Sequence, residues 1–253
     1  MAGTLNRRQA ALIADLRSRH GRKDSDLCLC DGLRACSEVI RLRPDLLESV
    51  ILREDFSADL EIPVEPVRLS AGEFQKIAQT VHSQGIITVS RRPEAVAPDA
   101  PPADPFALVL DQVRDPGNLG TIIRTARAAG LHEIYLTKGC ADPWQDKVIR
   151  SASGAQFALG LRFYRDLDEL AAILRRIGIG TFYRTLPAGG ENLFKADGIF
   201  SGSAVILGCE STGVSALEGA SGLNIPMPGT AESLNVAQAA TVILFEYVRR
   251  ITS

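Results

Sequence analysis

The sequence predicts an α/β protein in which a small N-terminal α/β domain precedes a larger domain built on a parallel sheet. Three observations lead to this prediction. Strand and helix patterns alternate over about 90 residues, a proline-rich stretch follows, and the rest of the chain alternates short apolar runs with amphipathic helices. We place the domains at residues 1–92 and 106–253, with a linker at 93–105.

The N-terminal domain is predicted to begin with an amphipathic helix over residues 5–20. Apolar residues recur there at helical spacing, Gln9 interrupts them, and Gly21 is placed to end the helix. The segments LCLC, SVILR and GIITVSR are predicted strands. The segments GLRACSEVIRLR and AGEFQKIAQTVHS are predicted helices between them.

The linker PEAVAPDAPPADP holds five of the 13 prolines and no periodic apolar pattern. Such a composition predicts an extended, semi-rigid connection. Beyond it, FALVLD is a continuous apolar run, as expected for a strand buried on both faces of a parallel sheet. Helices and strands then alternate up to a long apolar helix, which must be buried against the sheet or another subunit.

Composition narrows the functional classes. No apolar run reaches the roughly 18 residues of a membrane-spanning helix, so we expect a cytoplasmic protein. The formal net charge of −2 argues weakly against a protein that coats itself in nucleic acid. The five cysteines are too scattered for a disulfide framework. Buried, reduced thiols are favoured over a zinc site, which would need a second pair besides Cys28 and Cys30, and we expect no metal.

Basic residues crowd the start of the chain, where only Asp15 opposes them before Asp24. They are Arg7, Arg8, Arg17, Arg19, Arg22 and Lys23. A solvated helix face and an RNA-phosphate surface explain this run about equally well.

Three polar stretches each follow a predicted strand, at the edge where open α/β sheets bind ligands. The first, DQVRDPGNLGTIIRTARAAG, places Asn118 just ahead of a helix, as a cap or as a functional group. Arg124 follows among Ile122, Ile123 and Ala126. A cation with apolar neighbours near a helix N-terminus favours a functional role over a surface arginine.

The second stretch, AVILGCESTGVS, brings Glu210 directly after a strand, as an acid/base group or a helix cap. Gly208 and Gly213 imitate a phosphate loop, but Val214 replaces its lysine, which disfavours nucleotide hydrolysis. No strand precedes a G-x-G-x-x-G sequence, which disfavours a dinucleotide enzyme.

The third stretch is NIPMPGTAESLNVAQAA. Residues 225–227 are predicted to form a short apolar strand end before a constrained Pro/Gly loop. Ser233 then opens the last helix, as its N-cap or as a functional group, with Asn235 just beyond it.

Taken together, NLGTIIRTARAAG, LGCESTGVS and IPMPGTAESLNVA resemble, in order, the three signature motifs of the SpoU (TrmH-type) RNA 2′-O-ribose methyltransferases of the SPOUT superfamily. GCADPWQDKVIRSASGAQF is similar to the segment between the first two motifs, so the resemblance spans about residues 106–250. RSRHGRKDSDLCLCDG and GIITVSR resemble, more loosely, the ribosomal-protein-like RNA-binding domain of many members, with Asp31 at a position more often held by glutamate.

The resemblance implies a parallel sheet with a deep trefoil knot over roughly residues 204–250. It also implies a homodimer through the C-terminal domain, with the apolar last helix at the interface. The cofactor would be S-adenosylmethionine, in a pocket lined by Gly208, Ile225 and Leu234 with Met227 beside it.

The same resemblance implies that Arg124 acts at the ribose. The residues that would arrange this arginine and the substrate are Asn118, Glu210, Ser233 and Asn235. Because an arginine side chain almost never loses its proton, the acceptor of the hydroxyl proton stays open between a substrate phosphate and solvent.

RNA contacts are expected from Arg22 and Lys23. Arg150 is a weaker candidate, for an RNA phosphate or for the dimer. A recognition domain favours ribosomal RNA, such as a 23S rRNA guanosine, over transfer RNA. A transfer-RNA methyltransferase and a catalytically inactive RNA-binding protein of the same fold are the alternatives.

Overall fold

The computed structural model describes residues 4–80, 82–209 and 211–253. The chain forms two compact units. Unit 1 holds the described residues up to Glu94 together with Asp142–Ala158, and unit 2 holds Ala95–Ala141 and Leu159–Ser253. Segment 142–158, which the sequence analysis assigned to the C-terminal domain, therefore packs within unit 1.

Unit 1 contains five α-helices and four strands in its described residues. The helices are α1 (Arg7–Arg17), α2 (Arg19–Lys23), α3 (Leu33–Leu42), α4 (Ala71–Ile77) and α6 (Asp146–Ala152). The strands are β1 (Leu27–Asp31), β2 (Leu47–Arg53), β3 (Val67–Leu69) and β4 (Ile86–Arg91). They pair in the order β1-β4-β2-β3, with β4 antiparallel to both neighbours and β3 parallel to β2.

The first helix differs from its prediction at both ends. Gln9, the polar interruption of the apolar stripe, closes a capping box with Asn6, so that α1 begins at Arg7. The helix ends at Arg17, and Ser18 caps α2 by accepting from the Gly21 backbone N–H. Gly21 therefore lies inside α2, where a Cβ would sit 2.2 Å from the Asp15 carbonyl oxygen.

The fourth helix is shorter than AGEFQKIAQTVHS predicts, since α4 ends at Ile77. The backbone N–H of Gln79 donates instead to the buried Asp31 carboxylate at 2.7 Å, and Ser83 Oγ donates to the same group at 2.9 Å. Asp31 thus connects the end of β1 to the segment after α4. These tertiary hydrogen bonds outweigh the helix propensity of that segment.

Unit 2 is built on a seven-stranded sheet. Its strands are β5 (Phe106–Leu110), β6 (Glu133–Thr137), β7 (Gly160–Tyr164), β8 (Thr181–Leu186), β9 (Glu191–Asn192), β10 (Ser203–Leu207) and β11 (Ser221–Asn224). They run in the order β7-β6-β5-β10-β8-β11-β9, and every pair is parallel. The helices are α5 (Pro116–Ala128), α7 (Leu167–Arg176) and α8 (Val236–Thr252).

Strand β5 is buried along its whole length, as its continuous apolar sequence predicts. The elements α6, β3, β7, β9 and β11 were not predicted from the sequence, because they are short or lack a clear apolar period. The predicted strand end at 225–227 is wrong: the strand there is β11, which ends at Asn224.

The proline-rich stretch is fastened to the sheet of unit 2. Arg162 is 1% exposed and donates to the carbonyl oxygens of Ala97, Ala100 and Pro101 at 2.6–3.2 Å. Its charge is balanced by Glu133, whose Oε2 lies 2.8 Å from Nη2. A guanidinium can satisfy several carbonyls at once because its donors are spread in a planar fork.

Helix α8 turns one apolar side to the core of unit 2, where Ala240, Ile243 and Leu244 are fully buried, and it packs on α5. Its other side exposes Phe245 and Ile251. No helix within the described ranges combines the length and the apolar character needed to cross a membrane.

Candidate functional site

The carboxyl ends of the strands of unit 2 meet at one edge of the sheet, because all pairs are parallel. A cavity of about 440 Å³ lies at this edge, between the segments that follow β8, β10 and β11 and the first half of α8. Its lining residues are Thr185, Leu186, Pro187, Leu207, Gly208, Cys209, Ser211, Thr212, Gly213, Val214, Leu223, Ile225, Met227, Ser233, Leu234, Val236, Ala239 and Ile243.

Gly208 is required by a close approach of two backbone segments. A Cβ at this position would lie 2.3 Å from the Gly213 carbonyl atoms and 2.4 Å from the Val214 nitrogen. Gly213 itself has a φ of +70° and donates its N–H to the Cys209 carbonyl at 2.8 Å. A side chain at Gly208, which lines the cavity, would therefore prevent this close approach.

All four residues predicted to bind the cofactor line this cavity: Gly208, Ile225, Met227 and Leu234. The sequence analysis missed the wall contributed by Thr185, Leu186 and Pro187. A signal for it was present, since Leu186–Pro187 follows the predicted strand GTFYRT at the same sheet edge.

The cap of α8 is Asn235. Its Oδ1 accepts from the Ala237 and Gln238 backbone N–H groups at 2.9 and 3.4 Å. The expectation that Ser233 opens this helix is therefore wrong, because Ser233 lies exposed two residues earlier, where it lines the cavity. This removes capping as the explanation for Ser233.

Asn118 is likewise not a cap. Asp115 caps α5, and its Oδ1 accepts from the Asn118 backbone N–H at 2.8 Å. The side-chain Oδ1 of Asn118 accepts instead from Asn235 Nδ2 at 3.1 Å. This hydrogen bond joins the beginnings of α5 and α8, so that residues of the first and third motifs are held together across 117 positions of sequence.

Arg124 projects from the outer side of α5. Ile122, Ile123 and Ala126 are fully buried, whereas Arg124 is exposed. The sequence argument placed the arginine among these apolar side chains, and that was wrong, because they face the core and the arginine faces solvent. Within the described ranges it makes no ion pair, and it lies six residues beyond Asn118, roughly 9 Å along the helix axis.

Glu210, the predicted acid/base residue of the second motif, lies outside the described residues. Its neighbour Cys209 is 5% exposed and lies 3.3 Å from Ser211 Oγ. Hydrogen bonding from the Ser211 hydroxyl and backbone lowers the pKa of the Cys209 thiol to about 7. This thiol therefore differs from Cys28 and Cys36, whose pKa values are raised by burial.

The three predicted RNA contacts fall in different environments. Arg22 is buried: its Nε donates to Asp142 at 2.8 Å and its Nη1 donates to the carbonyls of Leu16 and Arg17. The structure thus contradicts its assignment as a phosphate contact, because its donors already hold the turn between α1 and α2.

Lys23 is exposed, and Arg150 is half-buried in an ion pair with Asp146 one helical turn earlier. Among the residues that the structure describes, no group of three His, Cys, Asp or Glu side chains is arranged to hold a metal ion.

The chain matches known proteins both in its sequence and in its structure. Residues 105–245 match the model of the SpoU rRNA Methylase family. The 23S rRNA (guanosine(2553)-2′-O)-methyltransferase RlmP of Bacillus subtilis is 31% identical over 243 residues, which cover 92% of this chain and 94% of that protein.

Two solved structures resemble the whole chain. A TrmH-family RNA methyltransferase structure from Porphyromonas gingivalis aligns with a TM-score of 0.82 and 26% identity, covering 98% of this chain and 100% of that one. A structure described as an RNA 2′-O ribose methyltransferase aligns with a TM-score of 0.81 and 25% identity, covering 100% and 99%.

Proposed function

The chain belongs to the SpoU rRNA methylase family, and we propose that it transfers a methyl group from S-adenosylmethionine to a ribose 2′-hydroxyl of ribosomal RNA. One observation carries the proposal. Residues of the second and third motifs line one cavity, and the first motif is bonded to the third beside it through Asn118 and Asn235.

The cavity suits a cofactor of this kind. Its volume of about 440 Å³ lies within the range of roughly 300–1,000 Å³ that is usual for small-molecule sites. Apolar side chains such as Ile225 and Leu234 would hold the adenosine, and backbone groups around Gly208 would supply hydrogen bonds. When bound, S-adenosylmethionine supplies an electrophilic methyl group on a sulfonium.

The residues of the chain then have to hold a weakly acidic alcohol in line with that methyl and let its proton leave. An arginine side chain almost never loses its proton, so it does not act as the base. Because Arg124 is exposed and has no ion pair within the described ranges, it would bind the ribose and its phosphate. It would thereby stabilise the ribose oxygen while the hydroxyl proton passes to that phosphate or to solvent. Ser233 and, by motif match, Glu210 would orient the ribose. Asn235 would fix Asn118, whose amide would face the substrate.

Ribosomal RNA is the proposed substrate because the relative from Bacillus subtilis, which this chain matches over nearly its full length, is named for a 23S rRNA guanosine. Unit 1 is proposed as the ribosomal-protein-like RNA-binding domain, with exposed Lys23 among its contacts. A cytoplasmic location would fit that substrate.

We also propose the trefoil knot and the homodimer. The close backbone approach of Gly208 to Gly213, and of Gly190 to Gly222 where a Cβ would lie 2.5 Å from the neighbouring carbonyl, supports a chain threaded tightly in the region after β8. The exposed Phe245 and Ile251 on α8 support a second subunit that covers this helix.

The test is to map 2′-O-methyl groups in ribosomal RNA from cells with and without the gene, by resistance of the neighbouring phosphodiester to alkaline hydrolysis. We expect one position to lose its methyl group in the deletion strain and to regain it with the wild-type gene. If the methyl group is missing from transfer RNA instead, the substrate assignment is wrong. If both RNAs are unchanged, the proposed activity is wrong.

A further inference from the structure

A second polar group stands at the carboxyl edge of the unit 2 sheet, outside the cavity. We call it the Gln112 cluster, and it consists of Asp111, Gln112, Arg114, Arg184 and Ser215. Gln112 Nε2 lies 3.4 Å from Ser215 Oγ, Arg114 Nη2 donates to Gln112 Oε1 at 2.7 Å, and Arg184 Nη1 donates to the Ser215 carbonyl at 3.4 Å. Arg114 is thus bonded to Gln112 and Arg184 to Ser215, and the Gln112–Ser215 contact links the two arginines into one group.

The backbone of Gln112 is held in an unfavourable conformation. Its φ is +53°, in the left-handed region that a residue with a Cβ seldom adopts. The Gln112 N–H donates to Thr137 Oγ1 at 3.1 Å. Gly139, with a φ of +108°, leaves room for the Gln112 side chain, because a Cβ at position 139 would lie 3.0 Å from Gln112 Cγ. Such strain is typical of functional positions, and here it fixes the direction of the amide.

Within the described residues neither Arg114 nor Arg184 makes an ion pair, and the buried Nε of Arg184 has no hydrogen-bond partner there. The carboxylate of the cluster, Asp111, is 2% exposed and already accepts from Thr137 Oγ1 and from the Ser215 N–H, each at 2.8 Å. Arg184 is half-buried with no counter-ion among the described residues, which is costly, and an anion that binds here would remove the cost.

We propose that Arg114 and Arg184 bind the phosphodiester backbone of the RNA next to the target ribose, with Gln112 setting their spacing. This inference rests on the proposed function and names a subsite for its substrate. A guanidinium matches a phosphate in shape and charge, and it pairs with two phosphate oxygens at once.

The position of the cluster relative to the cavity supports RNA as the occupant. Ser215 directly follows the segment 211–214 that lines the cavity, and Arg114 directly precedes Asp115, which caps the helix that carries Asn118. Lys138, exposed at the end of β6, adds a third cation at the same edge. A nucleotide whose ribose reaches the cavity would bring its flanking phosphates to these side chains.

The test compares Arg114→Gln, Arg184→Gln and the double variant with Arg176→Gln. Arg176 is an exposed arginine at the end of α7, at the opposite edge of the sheet, and serves as the matched control. Binding of an unmodified 23S rRNA transcript is measured over a salt series. Each single change at the cluster should weaken binding about fivefold or more and reduce the slope of log K against log salt by about 0.7–1, as expected for one lost phosphate contact.

Two further measurements keep this result interpretable. Affinity for S-adenosylhomocysteine, measured by calorimetry, should stay within about twofold of wild type if the changes leave the cavity intact. Arg184→Lys keeps a charge and should retain more of the salt slope than Arg184→Gln. If the role of Arg184 is purely structural, the two variants should change the salt slope equally.

The inference is overturned if the cluster variants bind RNA with the affinity and salt slope of Arg176→Gln. Methyl transfer by the wild-type protein distinguishes failure of the RNA subsite from failure of the proposed function. A wild type that transfers methyl while its cluster variants bind normally refutes the subsite alone. A wild type that binds RNA through the cluster but transfers no methyl refutes the proposed function.

Discussion

The two edges of the unit 2 sheet use charge in opposite ways. Toward the amino ends of the strands, Glu133 and Arg162 are 3% and 1% exposed and are paired with one another, and Asp104 accepts from the backbone N–H groups of His132 and Glu133. At the carboxyl edge, Arg114 and Lys138 are exposed without an ion pair among the described residues. Paired charge holds the fold at the amino edge, whereas the proposed RNA subsite uses the exposed cations at the carboxyl edge.

This contrast explains why the proline-rich segment is ordered on unit 2. It crosses the sheet where Arg162 offers donors to its carbonyls, and Glu133 Oε1 accepts from the Ala103 N–H at 2.9 Å. Tyr135 joins the same network through its hydroxyl, and burial raises its pKa.

The largest effect is expected from Arg124→Ala. If this exposed arginine acts at the ribose, its removal should lower methyl transfer by at least about a hundredfold to a thousandfold, as when another transition-state donor is lost. Binding of S-adenosylhomocysteine should be nearly unchanged, because Arg124 does not line the cavity. Turnover within about tenfold of wild type would remove Arg124 from the mechanism.

Gly208→Ala should affect the cofactor rather than the RNA. The added methyl group would overlap the Gly213 carbonyl, and such overpacking costs about 1–3 kcal/mol. If the turn shifts to relieve the overlap and must shift back to bind the cofactor, the affinity falls by about fivefold to 150-fold. Gly180→Ala is the matched control, because a Cβ at Gly180 meets nothing within 4 Å. Calorimetry with S-adenosylhomocysteine checks the difference, and equal affinities for the two variants would show that the turn after β10 does not shape the pocket.

At the opposite edge, Arg162→Met should destabilise the protein and leave the chemistry intact. Removing one partner of a buried ion pair costs about 3–5 kcal/mol, because Glu133 would be left buried without its counter-charge. Urea unfolding measures the loss, and His132→Ala, which removes a side chain that is 73% exposed, should cost much less. A stable Arg162→Met protein with impaired methyl transfer would contradict the proposal that the amino edge of the sheet serves stability and the carboxyl edge serves function.

The smallest expected effect is a difference in alkylation rate between Cys209 and the other thiols. With its pKa lowered to about 7 by the Ser211 hydrogen bonds, the thiol should react with iodoacetamide at a rate that rises with pH through a midpoint near 7. Burial raises the pKa of Cys140 to about 11, so this thiol should react slowly throughout. Mass spectrometry of the labelled peptides separates the two, and S-adenosylhomocysteine should slow labelling of Cys209 only.

Sequence patterns captured the parts of the fold that local rules control. Continuous apolar runs predicted the buried strands β5 and β10, and helical spacing predicted α3, α5, α7 and α8. The placement of segment 142–158 in unit 1 depends on contacts such as the Arg22–Asp142 ion pair, which joins residues 120 positions apart. No local pattern carries that information.

The candidate site shows the same limit at the level of single residues. Asn118 and Ser233 were each considered as caps, but only the structure shows that Asp115 and Asn235 do the capping. Arg22 and its neighbour Lys23 carry the same charge, yet Arg22 is buried and donates to backbone carbonyls whereas Lys23 is exposed. The role of a polar residue therefore followed from its partners rather than from its type.

The measurement that tests the account most directly is tritium transfer from S-adenosyl-[methyl-³H]methionine to unmodified 23S rRNA by the purified wild-type protein, followed by digestion of the product to nucleosides. The account predicts that the label appears in one 2′-O-methylnucleoside. Label in a methylated base would contradict the placement of ribose at this edge, and no label in RNA, with S-adenosylmethionine bound, would identify a binding protein that has lost catalysis.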